Sequence, residues 1–343
     1  MDDASGSGED ATPAAPPPRR DAAREGGQPD TGTEFKAHVR AARSEFEQQL
    51  TQARTDFEEV NERIKERTGR DLIVATLIGI AIGGVLVASL VFLKWAFVFF
   101  ALAAVLLGMF EFARALATSG RKVDLVPQLV AGALMVLAAY FFEPWMLWVV
   151  VFVAISIVVI WRLVGQMAAH DGRTHGDVLA DVLIGAFLQL YVPFLASLAL
   201  VLLRQEGGEW WVLAFILIAV VCDVGAYAAG ISFGRTPMAP RISPKKTWEG
   251  FAGAIVAAAG AGVLVGLFMI GVGWWMGLVF GLVVLVTATV GDLGESMIKR
   301  DLGIKDMSSW LPGHGGVLDR LDSILPSTTA ALALYYLFTP LVA

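Results

Sequence analysis

The sequence of 343 residues is poor in charge and nearly lacks cysteine. Charged residues make up 17% of the chain and hydrophobic residues 56%, whereas a typical soluble domain carries about 25% charged residues. So few charges cannot cover a surface in water, which excludes a soluble globular protein and favours one whose solvent is mainly lipid. The single cysteine, Cys222, excludes an intrachain disulfide and a thiolate metal cluster. Because it lies in an apolar run, we expect it to pack as a small hydrophobic side chain.

Basic blocks and histidines are also scarce. No cluster of Lys and Arg resembles a nucleic-acid patch, so we expect no nucleic-acid partner. There are only four histidines. His38 lies in the N-terminal segment, and His170 and His175 are far in sequence from His314, so a zinc site is disfavoured.

Three segments of different composition divide the chain. Residues 1–33 are rich in Gly, Pro, Ala and Asp, and we expect them to be disordered because they bury too little apolar surface to offset the loss of chain entropy. Residues 34–70 carry apolar side chains at spacings of three, four or seven, which is typical of an amphipathic cytoplasmic helix. A weakly ordered polar helix without a role is an equal alternative. Residues 71–343 form the expected transmembrane domain.

Nine apolar runs in this domain have lengths near the roughly 20 residues that a membrane-spanning helix needs. They cover residues 72–93, 95–113, 126–142, 145–161, 178–203, 210–231, 250–270, 274–291 and 324–342. The third and fourth are short and separated only by Glu143-Pro144, which predicts a tight helical hairpin. The expected fold class is therefore an all-α polytopic membrane protein with about nine transmembrane helices. Glycines in the seventh run favour close helix packing.

Lys and Arg are unevenly distributed among the connecting segments. Counting only Arg63, Lys65, Arg67 and Arg70 before the first run, that segment and those after the second, fourth, sixth and eighth runs carry 17 of them. The alternate loops carry only Lys94 and Arg204. The positive-inside rule then places the N-terminus in the cytoplasm and the C-terminus outside.

Ionisable residues of this domain gather in two segments, 220–250 and 291–323, both on the predicted cytoplasmic side. The first segment combines a carboxylate in an apolar run with a loop carrying hydroxyls and adjacent lysines: Asp223, Ser243, Lys245, Lys246 and Thr247. Lysines near flexible backbone suit phosphate oxygens, although Lys245 and Lys246 would also serve as plain cytoplasmic anchors. For Asp223 the alternative is a structural pair with a neighbouring helix.

The second segment is denser in charge: Asp292, Ser296, Lys299, Arg300, Lys305, Asp306, His314, Asp319, Arg320 and Asp322. If the eighth run continues as a helix, Ser296, Lys299 and Arg300 share one face. Asp319 and Asp322, three residues apart, can both face one site. Carboxylates and cations together suit Mg²⁺ held against substrate phosphates, and phosphoryl transfer depends mainly on positioning and charge neutralisation. For His314, orienting a phosphate, proton transfer and a turn-stabilising hydrogen bond all remain open.

The second segment carries a specific motif. It reads Ser296-Met297-Ile298-Lys299-Arg300, four residues, Lys305-Asp306, and then Pro312-Gly313-His314-Gly315-Gly316-Val317-Leu318-Asp319-Arg320-Leu321-Asp322. This resembles the signature of the phosphatidate cytidylyltransferase (CDP-diacylglycerol synthase) family, and residues 223–227 and 243–250 resemble its upstream motifs. The N-terminal segment is not covered by the resemblance.

The resemblance implies an enzyme of phospholipid biosynthesis that converts CTP and phosphatidate to CDP-diacylglycerol and pyrophosphate. It implies a Mg²⁺-dependent site, with an additional monovalent cation such as K⁺ as an option, and a homodimer among the lipids of a bacterial-type inner (plasma) membrane, its active site facing the cytoplasm. Asp292 and Asp319 correspond best to the family's metal ligands. The remaining expected catalytic residues are Lys299, Arg300 and Asp322. The expected substrate-binding residues are Asp223, Ser243, Lys245, Lys246, Thr247, Ser296, Lys305, Asp306, His314 and Arg320.

Three other functions compete with this one. A secondary transporter would use Asp223 and Asp292 as ion sites, but transporters usually have two similar halves, and here the polar residues gather in the second half. A CDP-alcohol phosphotransferase would carry a longer motif, of which Asp171-Gly172-Arg173 is only a fragment. A scaffold that has lost activity would not be expected to keep these acidic and basic positions. For Glu111 and Arg114, at the end of the second run, a functional role and a local i,i+3 pair are both open, and the local pair is the favoured interpretation.

Overall fold

The computed structural model describes residue 52 and residues 72–169, 171–308 and 315–342. Apart from Gln52, these residues belong to one compact unit that begins at Arg63. The predictions for residues 1–33 and 34–70 therefore lie outside the described residues, Gln52 excepted, as does the prediction for His314.

The described chain is almost entirely helical. Its α-helices are α1 Leu72–Phe92, α2 Lys94–Thr118, α3 Leu125–Phe141, α4 Pro144–Ala168, α5 His175–Gln189, α6 Leu195–Leu203, α7 Gly208–Phe233, α8 Trp248–Phe268, α9 Trp274–Asp301, α10 Leu318–Leu321 and α11 Ile324–Val342. A π-helical turn, Leu190–Phe194, joins α5 to α6. Two short strands between α7 and α8, β1 Pro237–Ala239 and β2 Ser243–Thr247, pair in an antiparallel hairpin.

Seven described helical segments are long and apolar enough to cross a membrane: α2, α4, α5 continued through α6, α7, α8, α9, and Leu318–Val342. The shorter segments Leu77–Phe92 and Leu125–Phe141 are apolar as well. The predicted class, an all-α polytopic membrane protein, is confirmed, and each of the nine predicted runs coincides with helix. The number of crossings and their orientation stay predictions.

The predicted hairpin of the third and fourth runs is confirmed, since α3 ends at Phe141, α4 begins at Pro144 and the two helices pack together. The prediction that the fourth run is short was wrong, because α4 continues to Ala168. Its last turns contain Arg162, which is buried and bonded to Asp181 on α5 at 2.8 Å. A paired charge can therefore extend a helix beyond the end of its apolar run.

Glycines bring α8 into close contact with its neighbours, as predicted. A Cβ atom at Gly253 would collide with Gly225 on α7, and one at Gly262 would lie 2.9 Å from the Cα of Gly281 on α9. Gly260, by contrast, faces open space. Because α8 packs closely on both α7 and α9, the hairpin that precedes it lies near α9.

The hydrophobic core contains the cysteine and supports the α9–α11 contact. Cys222 is 3% exposed, which confirms that it packs as a buried side chain. Gly291 on α9 is also buried, and a Cβ atom there would lie 2.7 Å from Pro326 at the start of α11 and would collide with the carbonyl of Asp322. This contact sets the middle of α9 against the segment that carries Asp322.

Candidate active site

A cavity of about 520 Å³ lies where α7, α8, α9 and the β1–β2 hairpin meet. Most of its lining is apolar, with contributions from Tyr227, Phe251 and Leu285 among others. Its charged and hydroxyl groups include five predicted site residues: Asp223, Lys245, Lys246, Thr247 and Asp292. A largely apolar cavity with a few charged groups suits a ligand that has both an apolar portion and an anionic head.

The hairpin contacts α9 through an ion pair. Lys246 Nζ on β2 donates a hydrogen bond to Asp292 Oδ2, and both side chains are partly exposed. The other carboxylate oxygen of Asp292 accepts from Ser296 Oγ at 3.3 Å. Lys246 and Asp292, which are 46 positions apart in the sequence, thus join the two charged segments. Because solvent can reach this ion pair, other charged ligands can replace either partner.

Asp319, at the start of α10, is held by several donors. Lys299 Nζ on α9 donates to Oδ1 at 2.9 Å. The backbone N–H groups of Met307 and Gly316 donate to Oδ2 at 3.1 and 2.8 Å. A carboxylate that accepts several hydrogen bonds, one of them from a lysine, is fixed in position.

One face of α9 carries four of the polar groups. Asp292, Glu295, Ser296 and Lys299 stand at i, i+3, i+4 and i+7, and therefore share a face. Glu295 is 0% exposed, and Lys299 Nζ lies 3.7 Å from its Oε2. No backbone N–H of the described residues donates a hydrogen bond to Glu295. The buried carboxyl of Asp322 lies beside it, so two carboxyl groups and one lysine form a buried cluster next to Asp319.

Asp223 is close enough to the Lys246–Asp292 ion pair and to Asp322 of the buried cluster for their charges to act on it. Its side chain lines the cavity from α7, and the charges that act on it are those of Asp292, Asp322, Lys246 and Arg320. The structure therefore brings α7, the hairpin, α9 and the segment around α10 to one region.

Arg300 is not among the residues that line the cavity. Its Nε donates to the carbonyl of Ile242, in the turn between β1 and β2, at 3.1 Å. Its Nη1 donates to the carbonyl of Ile304 at 3.3 Å. In this structure Arg300 ties the hairpin to the end of α9, so it supports the hairpin that carries Lys246.

The other predicted residues lie at the two ends of β2 or on the exposed surface. Ser243 begins β2 and pairs with Ala239, and Thr247 caps α8 by accepting from Gly250 N at 3.1 Å. The exposed residues of this set are Lys305, Asp306 and Arg320.

A comparison with protein families decides the relationship. The model of the cytidylyltransferase family matches residues 73–338. The chain belongs to the cytidylyltransferase family. The match covers both the charged second half of the chain and the apolar first half.

Named relatives within the family are similar over most of the chain. A protein of Mycobacterium bovis named phosphatidate cytidylyltransferase is 39% identical over 278 residues, which cover 77% of this chain and 88% of the relative. A protein of the same name from Mycobacterium leprae is 38% identical over 281 residues, covering 77% and 88%. One from Brucella suis is 41% identical over 151 residues, covering 43% and 54%.

The carboxylates of this family member suit a hard divalent cation. Within the described residues, no three His, Cys, Asp or Glu side chains converge on one metal position. Mg²⁺, however, is usually held by one or two carboxylates together with substrate phosphates and water. Oxygen donors at Asp292 and Asp319, each neutralised by a lysine, fit that type of ligand set.

Two polar residues of the site were not included in the set predicted from the sequence. Glu295 is absent from the predicted set, although its helical spacing from Asp292 would have indicated it. Glu111 on α2 is only 1% exposed and accepts a hydrogen bond from Leu318 N at 2.9 Å, while the guanidinium of Arg114 lies over the ring of Phe110, 5.6 Å from its centroid. Each side chain has a different partner, so the interpretation of Glu111 and Arg114 as a local pair was wrong.

Proposed function

We propose that this protein is a phosphatidate cytidylyltransferase, which converts CTP and phosphatidate to CDP-diacylglycerol and pyrophosphate. The observation that carries the proposal is the largely apolar cavity whose lysines and carboxylates come from α7, the hairpin and α9. A phosphatidate molecule is an anionic phosphate attached to two apolar chains, and a nucleoside triphosphate needs cations around its phosphates. The names of the M. bovis and M. leprae relatives support the same reaction.

The transfer needs no protein nucleophile. A phosphate oxygen of phosphatidate attacks the α-phosphorus of CTP and forms a new P–O bond. The bond from that phosphorus to the oxygen bridging the α- and β-phosphates breaks, and pyrophosphate leaves with the electron pair. The attacking group is already an anion, so positioning and charge neutralisation are what the protein must supply.

Lysines and carboxylates of the site have distinct roles in this proposal. Lys246 and Lys299 exchange their present carboxylate partners for substrate phosphates, and Lys245 adds positive charge at the cavity. Asp292 and Asp319 would hold Mg²⁺, which when bound neutralises phosphate charge. Glu295 and Asp322 form a buried acidic group behind Lys299, where a monovalent cation such as K⁺ would also be accommodated.

The expected setting follows from charge and composition. The excess of Lys and Arg in alternate connecting segments supports a cytoplasmic site, where CTP is available. The bacterial relatives support a plasma membrane location. The apolar walls of the cavity include the exposed side chains of Tyr227 and Ile231, which fits the entry of phosphatidate from the bilayer. A homodimer remains part of the proposal.

The decisive experiment measures pyrophosphate release by the purified protein in mixed micelles of detergent and phosphatidate, with CTP and Mg²⁺. We compare the unchanged protein with Asp319→Asn, which keeps the shape but removes the charge. Loss of a carboxylate that holds a charge-neutralising metal should lower kcat by at least about 10²-fold. Glu143→Gln is the matched control, because Glu143 is exposed between α3 and α4, and it should leave kcat unchanged.

Each outcome has a clear meaning. Release that requires both CTP and phosphatidate, and that falls with Asp319→Asn but not with Glu143→Gln, supports the reaction and the site. Release unaffected by Asp319→Asn keeps the reaction and removes Asp319 from the site. No release with any nucleotide, from protein whose helical content is intact, contradicts the proposed function.

A further inference from the structure

Glu111 is a buried carboxylate that contacts two parts of the chain distant from it in sequence. It lies on α2, is 1% exposed, and accepts from Leu318 N at 2.9 Å and from Ser308 Oγ. These donors are 207 and 197 positions away in the chain. A buried carboxylate is costly unless it is hydrogen-bonded, so these contacts hold Ser308 and Leu318 against α2.

The same stretch of chain is also held by Asp319. Its carboxylate accepts from Met307 N and Gly316 N, which lie one and two positions before the Glu111 contacts Ser308 and Leu318. A Cβ atom at Gly316 would lie 2.7 Å from Glu111 Oε2 and 3.1 Å from Asp319 Oδ2. The two carboxylates therefore approach Gly316 closely: Glu111 bonds to residues on both sides of it, and Asp319 bonds to Gly316 itself and to Met307.

Apolar packing completes the contact between α2 and α10. Leu318 is fully buried, and a Cβ atom at Gly108, one turn before Glu111, would lie 3.6 Å from its Cδ1. The side chain of Leu318 thus packs at Gly108 while its backbone N–H is held by Glu111. Because Asp319 is the next residue, the position of its carboxylate depends directly on this contact.

We propose that Glu111 is a positioning residue for the reaction: it fixes the start of α10 so that the Asp319 carboxylate stays at the metal site. This inference rests on the proposed role of Asp319. Glu111 belongs to the half of the chain that carries none of the predicted site residues, and it acts through Asp319 without touching the reacting groups.

The test compares Glu111→Ala, Glu111→Gln and the control Glu143→Gln. Displacement of a catalytic group by about 1 Å can lower turnover by about 10²-fold, so we expect Glu111→Ala to lower kcat by that factor. The KM for CTP should change by less than about threefold, because an interaction that serves only the transition state affects kcat alone. Glu111→Gln keeps an oxygen that can accept from Leu318 N and should recover kcat to within about tenfold of the unchanged protein.

Amide hydrogen exchange provides a readout independent of turnover. The N–H groups of Met307 and Gly316 donate to Asp319 and not to Glu111. If Glu111 positions this segment, their exchange should accelerate at least about tenfold in Glu111→Ala, while the amides of α7, α8 and α9 keep their protection. Unchanged exchange in those helices shows that the variant is folded.

The possible results separate the two proposals. Normal kcat in Glu111→Ala, or lowered kcat with unchanged exchange at Met307 and Gly316, would overturn the role of Glu111. A loss of kcat that Glu111→Gln does not relieve would overturn it as well. Full turnover in Asp319→Asn would instead overturn the role of Asp319 and, with it, the basis of this inference.

Discussion

The buried charge cluster between α4 and α5 makes a strong prediction about stability. Asp181 is 2% exposed. It accepts from Lys122 N at 3.0 Å, Arg162 Nη2 at 2.8 Å and Arg173 Nη1 at 2.7 Å. One carboxylate therefore joins α4 and α5 to the segments that follow α2 and α4. We expect Asp181→Asn to destabilise the protein strongly while leaving the shape of the side chain unchanged.

The expected loss of unfolding free energy follows from the charge on Arg162, which Asp181→Asn leaves without compensation. The side chain of Arg162 is 5% exposed, and its Nε and Nη1 meet no acceptor among the described residues. After Asp181→Asn it can still donate to neutral amide oxygens, such as Gln166 Oε1 at 2.9 Å from Nη2, but it has lost the carboxylate that compensated its charge. Removing one partner of a buried ion pair costs about 3–5 kcal/mol, because the other charge remains buried without compensation. Arg173 is more exposed and can turn to water.

The assay is unfolding by SDS in mixed micelles, followed by the fluorescence of the ten tryptophans. Asp171→Asn is the control. The hydrogen bond from Gln166 and the neighbouring Lys122 lower the pKa of Asp171 to about 2, so at neutral pH this control also removes a negative charge from the same cluster. Because Asp171 is partly exposed, its loss should shift the unfolding midpoint far less.

A second variant tests the stated cause. Arg162→Met, introduced into Asp181→Asn, removes the charge left without compensation and should restore roughly 2 kcal/mol of unfolding free energy. The reasoning is refuted if Asp181→Asn destabilises no more than Asp171→Asn. It is also refuted if the double variant is no more stable than Asp181→Asn alone.

Two further predictions concern the site and the packing around it. Lys246→Met should lower kcat for pyrophosphate release by about 10²–10³-fold, the usual loss for one preorganised donor. Arg241→Met is the control, because Arg241 lies in the exposed turn of the same hairpin. Equal losses of kcat in the two variants would contradict a specific role of Lys246. Gly262→Ala should cost about 1–3 kcal/mol of unfolding free energy by overpacking α8 against α9. Gly260→Ala should not destabilise the protein, because Gly260 faces open space and alanine favours a helix over glycine.

The overall class of fold was predictable because lipid imposes a simple rule on composition. Apolar runs of sufficient length must become helices that satisfy their own backbone hydrogen bonds, and the predicted runs all coincide with helix. Helix ends were less predictable, as α4 shows. A charge such as Arg162 is read from sequence as a boundary, but here Asp181 compensates it, and that partner is known only from the tertiary structure.

The site was predictable where its residues follow one another along one element, and not where they come from distant elements. Ser296 and Lys299 lie on one face of α9 because the helix continues to Asp301, as the spacing suggested. Glu111 could not be assigned in the same way. Its partners Ser308 and Leu318 follow about two hundred positions later, and in sequence the nearer Arg114 offers a simpler explanation.

The position of Glu111 also explains why an apolar first half should belong to a catalytic unit. All of the predicted site residues lie from Asp223 onward, yet the family match begins at residue 73. If α1 to α6 served only as a membrane anchor, the start of α10 would need no specific contact with them. Instead α2 supplies both the small residue against which Leu318 packs and the carboxylate that accepts from its backbone. A change on α2 can therefore move the Asp319 carboxylate although no residue of α2 is in the predicted site, and we expect substitutions at Gly108 to affect turnover more than the apolar packing alone would suggest.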